Sequence, residues 1–393
     1  MTGPAPSLYP GDLLEFAQDL TDPEREALRR LRAFLDERVR PVLVERWERA
    51  ESLADFRRPL AALRLLDDPA LVGPDGRVRE LFRGFVTLEL ARTDLALSIA
   101  YGGQVGMFRT LVHAGGSAEQ IVAWDPGILD FSFTGCFALN EPDHGSDIAG
   151  GMGTLARRDG DGWVISGEKR WIGNASFSDN LVVIAREQTG RRVLAFVVPA
   201  DAPGVEIRVI GHKAAARMVH NADVSLREVR VSESRRLPRI ESFADVNRAL
   251  RSLRADVAWT AAGMQLGAYD AALSYARSRE QFGRPIAGFQ LVQDKLVRIV
   301  AGVAQTLALA VRAVERPPAD DVAPSLVKLV AADRLRESVA LAREIVGGNG
   351  VLLAHDVVRY FADAEAVYTF EGTREMNTLI VGRSITGRSA FVH

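Results

Sequence analysis

Trp163-Val164-Ile165-Ser166-Gly167-Glu168-Lys169-Arg170-Trp171-Ile172-Gly173-Asn174 is the stretch on which the fold of this chain turns. It follows the turn-forming run Asp159-Gly160-Asp161-Gly162 and carries Ser166-Gly167-Glu168 between two β-rich ends. That composition predicts a hairpin whose arms are Trp163–Ile165 and Lys169–Ile172. Leu181–Ile184, Val193–Val198 and Val205–Val209 predict further short strands, and residues 222–229 alternate with period two. Strands this short and regularly spaced predict a small barrel or sandwich over about residues 135–232.

Outward from this block, on both sides, the period is helical. Thr21-Asp22-Pro23-Glu24 is a helix start, a capping side chain followed by proline and acid, and Leu28, Leu31, Phe34, Leu35 and Val39 then recur at helical spacing. Leu81, Phe85 and Leu88 predict a second long helix, with a break at Thr93-Asp94 before Leu95 and Ile99. Beyond residue 240, Val257–Ser278, Leu291–Val314 and Ser325–Val346 predict a helical bundle. Ala261, Ala262, Gly263, Gly267 and Ala268 would let its helices approach closely. The fold expected is multidomain α+β: an N-terminal helical domain over 1–134, a middle β-barrel domain over 135–235 and a C-terminal helical bundle over 236–393.

Composition narrows the function. A chain of 393 residues with 47% hydrophobic and 25% charged residues reads as globular, and a net charge of −2 argues against nucleic acid and against an electrostatic membrane anchor. No apolar stretch is expected to span a bilayer. The single cysteine, Cys136, and six scattered histidines offer no disulfide framework and no metal site. Met1–Pro6 lacks a signal-peptide pattern and Phe391-Val392-His393 is not a peroxisomal address, so the cytoplasm is the expected location.

Four segments have the residue types of a ligand site. Phe137-Ala138-Leu139-Asn140-Glu141-Pro142-Asp143-His144-Gly145-Ser146-Asp147 could cradle a ligand or simply connect two domains. Trp171, at the end of the deciding stretch, could lie on a planar cofactor or fill a core. Arg277-Ser278-Arg279-Glu280-Gln281-Phe282-Gly283, followed by Phe289-Gln290, could pair a phosphate and stack a base, or end a helix in solvent. Glu344-Ile345-Val346-Gly347-Gly348-Asn349-Gly350 terminates a helix, and Tyr368-Thr369-Phe370-Glu371-Gly372-Thr373 sets Glu371 among apolar neighbours. A half-buried carboxylate there has its pKa raised toward the range of a general base, although a turn glutamate is the commoner case.

In this order and at these spacings the segments resemble the acyl-CoA dehydrogenase family over about residues 20–391, closest to the glutaryl-CoA dehydrogenase branch and the plant short-chain acyl-CoA oxidases. Arg170–Asn174 and Glu371-Gly372-Thr373 through Gly387 carry much of the likeness. The resemblance implies a C-terminal four-helix bundle and FAD. It implies α,β-desaturation of an acyl-CoA or acyl-carrier-protein thioester, Glu371 taking the α-proton while the β-hydride passes to flavin N5. Phe137, Leu139, Asn140, Ser146, Trp171, Ile172 and Gly173 would line the isoalloxazine ring. Arg279, Phe282, Gln290 and the turn containing Glu344, Gly347 and Gly348 would reach a neighbouring subunit's FAD, and Thr373 and Glu375 would complete the site. Ser98, Ser146, Arg254 and Gly372 would meet the substrate, and Leu253 stands where some relatives carry their base.

Electron-transferring flavoprotein is the implied acceptor, and a homo-oligomer, tetramer ahead of dimer, the implied assembly. Three positions depart from the family pattern: Asn140 in place of threonine, Gly173 in place of serine or threonine, and Ser98 where glutaryl-CoA dehydrogenases use arginine. Gly173 keeps open an oxidase reoxidised by O2 with release of H2O2, and Ser98 argues against a dicarboxylic substrate. A non-catalytic binding relative is the remaining reading, disfavoured because Glu371, Arg279, Gln290 and Gly347-Gly348 are all present. Glu119–Pro126 also departs from the family text.

Overall fold

The computed structural model describes residues 8–316 and 320–390. Its first long helix, α1 (Asp22–Phe34), opens on the expected capping box: Thr21 Oγ1 accepts the Glu24 N–H, and the Glu24 carboxylate accepts the Thr21 N–H. Helices α2 (Leu43–Arg49), α3 (Arg57–Ala61), α4 (Glu80–Thr93), α5 (Leu95–Gly102), α6 (Arg109–Gly115) and α7 (Ala118–Leu129) follow. The break between α4 and α5 falls at Asp94. Its backbone is extended and its carboxylate accepts the Ala96 N–H at 2.8 Å, so one residue ends a helix and caps the next.

Strands β1 (Gly135–Ala138), β2 (Leu155–Asp159), β3 (Gly162–Gly173), β4 (Asn180–Glu187), β5 (Val193–Pro199), β6 (Val205–Val209) and β7 (Asn221–Ser232) form one curled sheet, with the single turn α8 (Ile148–Gly151) after β1. β4 lies parallel to β1 and β2 and antiparallel to β5, while β3 joins β2 to β7 and β6 pairs β7. The expected hairpin is corrected here. Its arms are β2 and β3, closed by Gly160-Asp161 between Asp159 and Gly162, with Gly160 at φ 60°. Ser166-Gly167-Glu168 is not a turn: β3 runs straight through it, and the register shifts between Ile165 and Gly167 as a bulge. Gly167 has φ 154°, and a Cβ there would stand 2.5 Å from Thr154 Oγ1, so the glycine admits a close neighbour rather than a reversal.

The C-terminal block is α9 (Phe243–Ser278), a small arm of β8 (Glu280–Gln281) and β9 (Arg284–Pro285), α10 (Gln290–Glu315), α11 (Val322–Val346), α12 (Val357–Thr369) and α13 (Arg374–Thr386). α9 begins at Phe243, well ahead of Val257, capped by Ser242 Oγ accepting the Asp245 N–H. Its glycines do bring backbones together, since a Cβ on Gly263 would stand 2.2 Å from the Leu88 carbonyl of α4. Contrary to expectation, α10 is long and apolar enough to cross a membrane by length and composition. Here it is a bundle helix, with Ile299, Val303, Leu307 and Ala310 buried and Thr306 bonded to Gln265 of α9 at 2.9 Å.

One apolar core joins the N-terminal helices to the bundle through Leu28, Phe82, Phe85, Trp259, Leu307 and Leu335. A second lies on one face of the sheet around Ile165, Phe196 and Val224, and a third lies under α6 and α7 around Phe108, Ile128 and Val182.

Candidate active site

α12 stops at Thr369 because Phe370 turns extended, and the next two residues are left-handed: Glu371 at φ 54° and Gly372 at φ 85°. Gly372 adopts this freely; Glu371 does so against steric preference, a strain of about 1 kcal/mol or more that its surroundings must hold. Thr373 then caps α13, its Oγ1 accepting the Met376 N–H at 3.2 Å. Two side chains grip the loop by its carbonyls. Lys328 of α11, fully buried, donates to the Tyr368 carbonyl at 2.8 Å and the Gly372 carbonyl at 2.9 Å. Asn377, also fully buried, donates to the carbonyls of Gly372 at 2.8 Å and Thr373 at 3.0 Å.

Among the described residues, the N–H groups of Glu371 and Gly372 meet no acceptor, and the Glu371 carboxylate accepts no hydrogen bond. Burial lifts that carboxyl above its ordinary range, while Arg254 and Lys328 pull it back and Asp256 adds to the rise. Arg254, on α9, sits 3.5 Å from Asp321 Oδ1 but its buried Nη1 has no hydrogen-bond acceptor among the described residues. Asp256 is held on its other side by Arg83 of α4, at 2.8 and 3.0 Å. The arrangement is a carboxylate raised in pKa, under the influence of the Arg254 guanidinium, whose Nη1 faces Asp321, and beside two amide N–H groups without acceptors among the described residues. It can take a proton from carbon while nearby donors receive developing negative charge on oxygen.

A second group surrounds the end of β3. Trp171 takes the left-handed conformation, φ 63°, and is 51% exposed, an arrangement that turns an indole outward from the strand end instead of into a core. The Arg170 N–H donates to the Asn140 carbonyl at 2.9 Å, drawing the 139–146 loop against β3. Behind it, the fully buried Lys169 donates to the Leu139 carbonyl and to Glu141 Oε1, both at 2.9 Å. Glu141 also accepts from the N–H groups of Gly153 and Thr154 and from Thr154 Oγ1. Burial works against both charges. It takes Lys169 down to about 8, whereas at Glu141 the donors outweigh burial and keep the carboxyl low.

Asn174, φ 68°, ties this group to α5 by donating to the Ile99 and Ala100 carbonyls, each at 3.2 Å. Ser98 is buried on that helix, and Asp94 at its start pairs with the buried Arg359 of α12, the helix leading to Glu371. α5 therefore links the β3 end to the helix that leads to Glu371. Phe137, Asn140, Ser146 and Gly173 keep exposed or half-exposed surface; the Leu139 and Ile172 side chains are buried in the two sheet cores.

Arg279, Phe282, Gln290, Glu344, Gly347 and Gly348 gather elsewhere, at the far end of α9. Asn349 bonds the Tyr275 hydroxyl at 3.0 Å, and Lys295 pairs with Glu344 at 2.8 Å, so the Glu344 carboxylate is already engaged. Phe282 is 95% exposed and packs only edge-on to Phe289, and Arg279 has no acidic partner among the described residues. From Arg254 to Arg279, α9 rises roughly 37 Å. The two groups cannot serve one small reaction centre within one chain.

The residues suit a flavin. A Cβ on Gly173 would have no neighbour nearer than 3.9 Å, and Gly347 (φ 65°) and Gly348 open onto free space, which gives room for a flat ring at one end and a phosphate against bare backbone at the other. Sequence reading missed Lys328, Asn377, Lys169 and Asn174 as parts of the site. All four act on main-chain carbonyls, and only the asparagine or lysine letter itself signals that.

The acyl-CoA dehydrogenase middle-domain model matches residues 136–229, and the acyl-CoA dehydrogenase C-terminal-domain model matches residues 243–386. A probable acyl-CoA dehydrogenase of Bacillus subtilis is 31% identical over 307 residues, covering 76% of this chain and 80% of its own. A glutaryl-CoA dehydrogenase structure from Mycobacterium smegmatis superposes with a TM-score of 0.89 at 35% identity, covering 97% of this chain and 99% of that one. A second Mycobacterium smegmatis glutaryl-CoA dehydrogenase, in complex with FADH2, has a TM-score of 0.89 at 29% identity over 98% of this chain and all of that one. With its helix–sheet–helix order and its carboxylate on the α12–α13 loop, the chain belongs to the acyl-CoA dehydrogenase family, FAD-dependent oxidoreductases acting on CH–CH groups.

Proposed function

We propose that the chain desaturates a monocarboxylic acyl thioester, CoA-borne or carried by a carrier protein, between its α and β carbons with Glu371 as the base. One observation carries this reading: Glu371 is set on a left-handed loop whose Tyr368, Gly372 and Thr373 carbonyls are held by Lys328 and Asn377, while its carboxylate and the N–H groups of Glu371 and Gly372 have no partner among the described residues. The raised carboxyl is better matched to a weakly acidic carbon than an ordinary glutamate is. The Glu371 N–H is the donor this chain offers to the thioester oxygen, with the Arg254 guanidinium adding positive charge nearby. Bound FAD supplies the acceptor for the β-hydride. Trp171, the 139–146 loop and Gly173 would hold its ring, and Thr373 and Glu375 stand at the start of α13 beside the base.

The span of α9 supports an oligomer, tetramer ahead of dimer, in which Arg279, Phe282, Gln290 and Gly347-Gly348 serve a neighbour's FAD. Ser98 on α5, in place of arginine, supports an acyl group without a distal carboxylate. We assign electron-transferring flavoprotein as the acceptor and the cytoplasm as the location. The test is anaerobic mixing with butyryl-, octanoyl- and palmitoyl-CoA while the visible flavin band is followed, then admission of air. Bleaching that persists in air supports the dehydrogenase; rapid recovery with peroxide would replace it with the oxidase. Glu371→Gln is expected to stay yellow and lose turnover on the order of a thousandfold or more, and retained turnover would overturn the base.

A further inference from the structure

The strained pair Glu371-Gly372 is held from one side by a single ammonium group. Lys328 rises from the second turn of α11, inside the bundle, and its Nζ meets the Tyr368 carbonyl, three residues before Glu371, at 2.8 Å and the carbonyl of the pair's second residue, Gly372, at 2.9 Å. Asn377 shares the Gly372 carbonyl from the α13 side at 2.8 Å. Between those two held carbonyls, the N–H groups of Glu371 and Gly372 have no acceptor among the described residues. Lys328 is also one of two cations, with Arg254, acting on the Glu371 carboxylate.

We propose that Lys328 is a positioning residue for the base: it pins the carbonyls on both sides of Glu371, and its charge favours the carboxylate form that takes the proton. This rests on Glu371 being the base. The groups that set the balance face the site from four elements: Arg254 and Asp256 on α9, Asp333 on α11, Glu375 on α13 and Glu371 itself. Burial holds Lys328 down, to about 8, against the pull of Glu371 and Glu375, so its charge is kept near neutrality and given up in mild alkali.

The test compares wild-type holoenzyme with Lys328→Met, Lys328→Arg and Glu371→Gln, using whichever of butyryl-, octanoyl- and palmitoyl-CoA bleaches the wild-type flavin fastest. Flavin content and the pH profile of kcat/KM are measured for each. Lys328→Met is expected to lower kcat roughly 10- to 100-fold and to move the acid limb of the profile up by about one pH unit, as removal of a nearby cation requires. Lys328→Arg should restore the limb but only part of the rate, because a planar fork cannot reproduce two converging bonds to carbonyls. A merely structural lysine would change protein yield and leave the limb in place.

An unmoved limb in Lys328→Met, with Glu371→Gln inactive, overturns the role of Lys328 and leaves the base standing. Turnover in Glu371→Gln overturns both. Should Lys328→Met shed its flavin, Lys328→Gln, which keeps a neutral N–H donor, carries the same comparison.

Discussion

Lys169→Met should separate the energetics of the loop behind the flavin-facing surface from those of the sheet around it. Lys169 is fully buried, and its two bonds at 2.9 Å go to the Leu139 carbonyl and to Glu141. Removing one partner of a buried pair strands the other charge and typically costs 3–5 kcal/mol. Glu141 keeps three other donors, Gly153 N–H, Thr154 N–H and Thr154 Oγ1, which places the expectation at the low end, about 3 kcal/mol.

The opposite change behaves differently. In Glu141→Gln the stranded Lys169 can release its proton, which bounds the penalty at pH 7 to about 5 kcal/mol for a lysine whose free value is near 10.4. The Gln side chain leaves no anion to strand, so Lys169→Met in that background should cost only about 1 kcal/mol, a coupling of about 2 kcal/mol. Urea unfolding of the holoenzyme, followed by circular dichroism at fixed protein and FAD concentration, measures all four forms. Equal costs of Lys169→Met in the two backgrounds would refute the argument that a stranded charge dominates.

Three further outcomes follow from the geometry. The base proposed at Glu371 must act deprotonated and its carboxyl is raised by burial, so kcat/KM should fall as pH drops through a limb above the ordinary glutamate range; a limb at or below that range contradicts the assignment. Arg279→Ala should weaken FAD retention by roughly 1–3 kcal/mol, read as flavin content after dialysis, and unchanged content would remove Arg279 from the cofactor site. Asp125→Ala should cost about 2 kcal/mol of stability with the flavin spectrum unchanged. Asp125 accepts from Arg109 at 2.7 and 2.8 Å and from His113 at 2.7 Å, pinning α7 to α6, and an unfolding midpoint equal to wild type would refute this.

The order of helix, sheet and helix was legible because the hydrophobic period changes from 3.6 to 2 and back, and such changes survive in composition. Ser166-Gly167-Glu168 misled because a bulge and a turn use the same residues. Only the neighbour, Thr154 pressed against Gly167, distinguishes them. The return of the helical period from about residue 240 was legible, although Arg248, Arg251 and Arg254 interrupt the apolar pattern of early α9: Arg248 meets Asp245 on the same helix, and Arg251 and Arg254 meet Asp321 ahead of α11. Glu119–Pro126, which had no account from sequence, acquires one through Asp125 and its bonds to α6. Glu371 was legible from its apolar neighbours and the following glycine. Lys328 was not, because a lysine in Val327-Lys328-Leu329 reads as a long side chain reaching for solvent, and nothing local says that two carbonyls lie overhead.

The distribution of the two basic residues follows from their shapes. Lysine occurs only at positions 169, 213, 295 and 328 among the 49 lysines and arginines, and three of these four end on main-chain carbonyls. Lys213 donates to Ala216 at 2.7 Å, to Val219, and to Asn221 Oδ1 at 2.9 Å, closing a loop whose Ala216 is left-handed at φ 49°. Lys169 reaches Leu139 two residues before Trp171, and Lys328 brackets Glu371, both left-handed as well. An ammonium has three divergent donors on one small atom and can gather carbonyls that point at a common spot, as they do inside a tight irregular loop. Arginine's flat fork suits the paired oxygens of a carboxylate, and here arginine supplies nearly all the ion pairs between helices and strands. All three loop lysines are drawn down to about 8 by burial, the cost of placing a cation where the backbone needs donors rather than where water is available. Two of those three loops carry the residues assigned to the flavin and the base, so the rare lysines mark where this chain departs from regular structure in order to do chemistry.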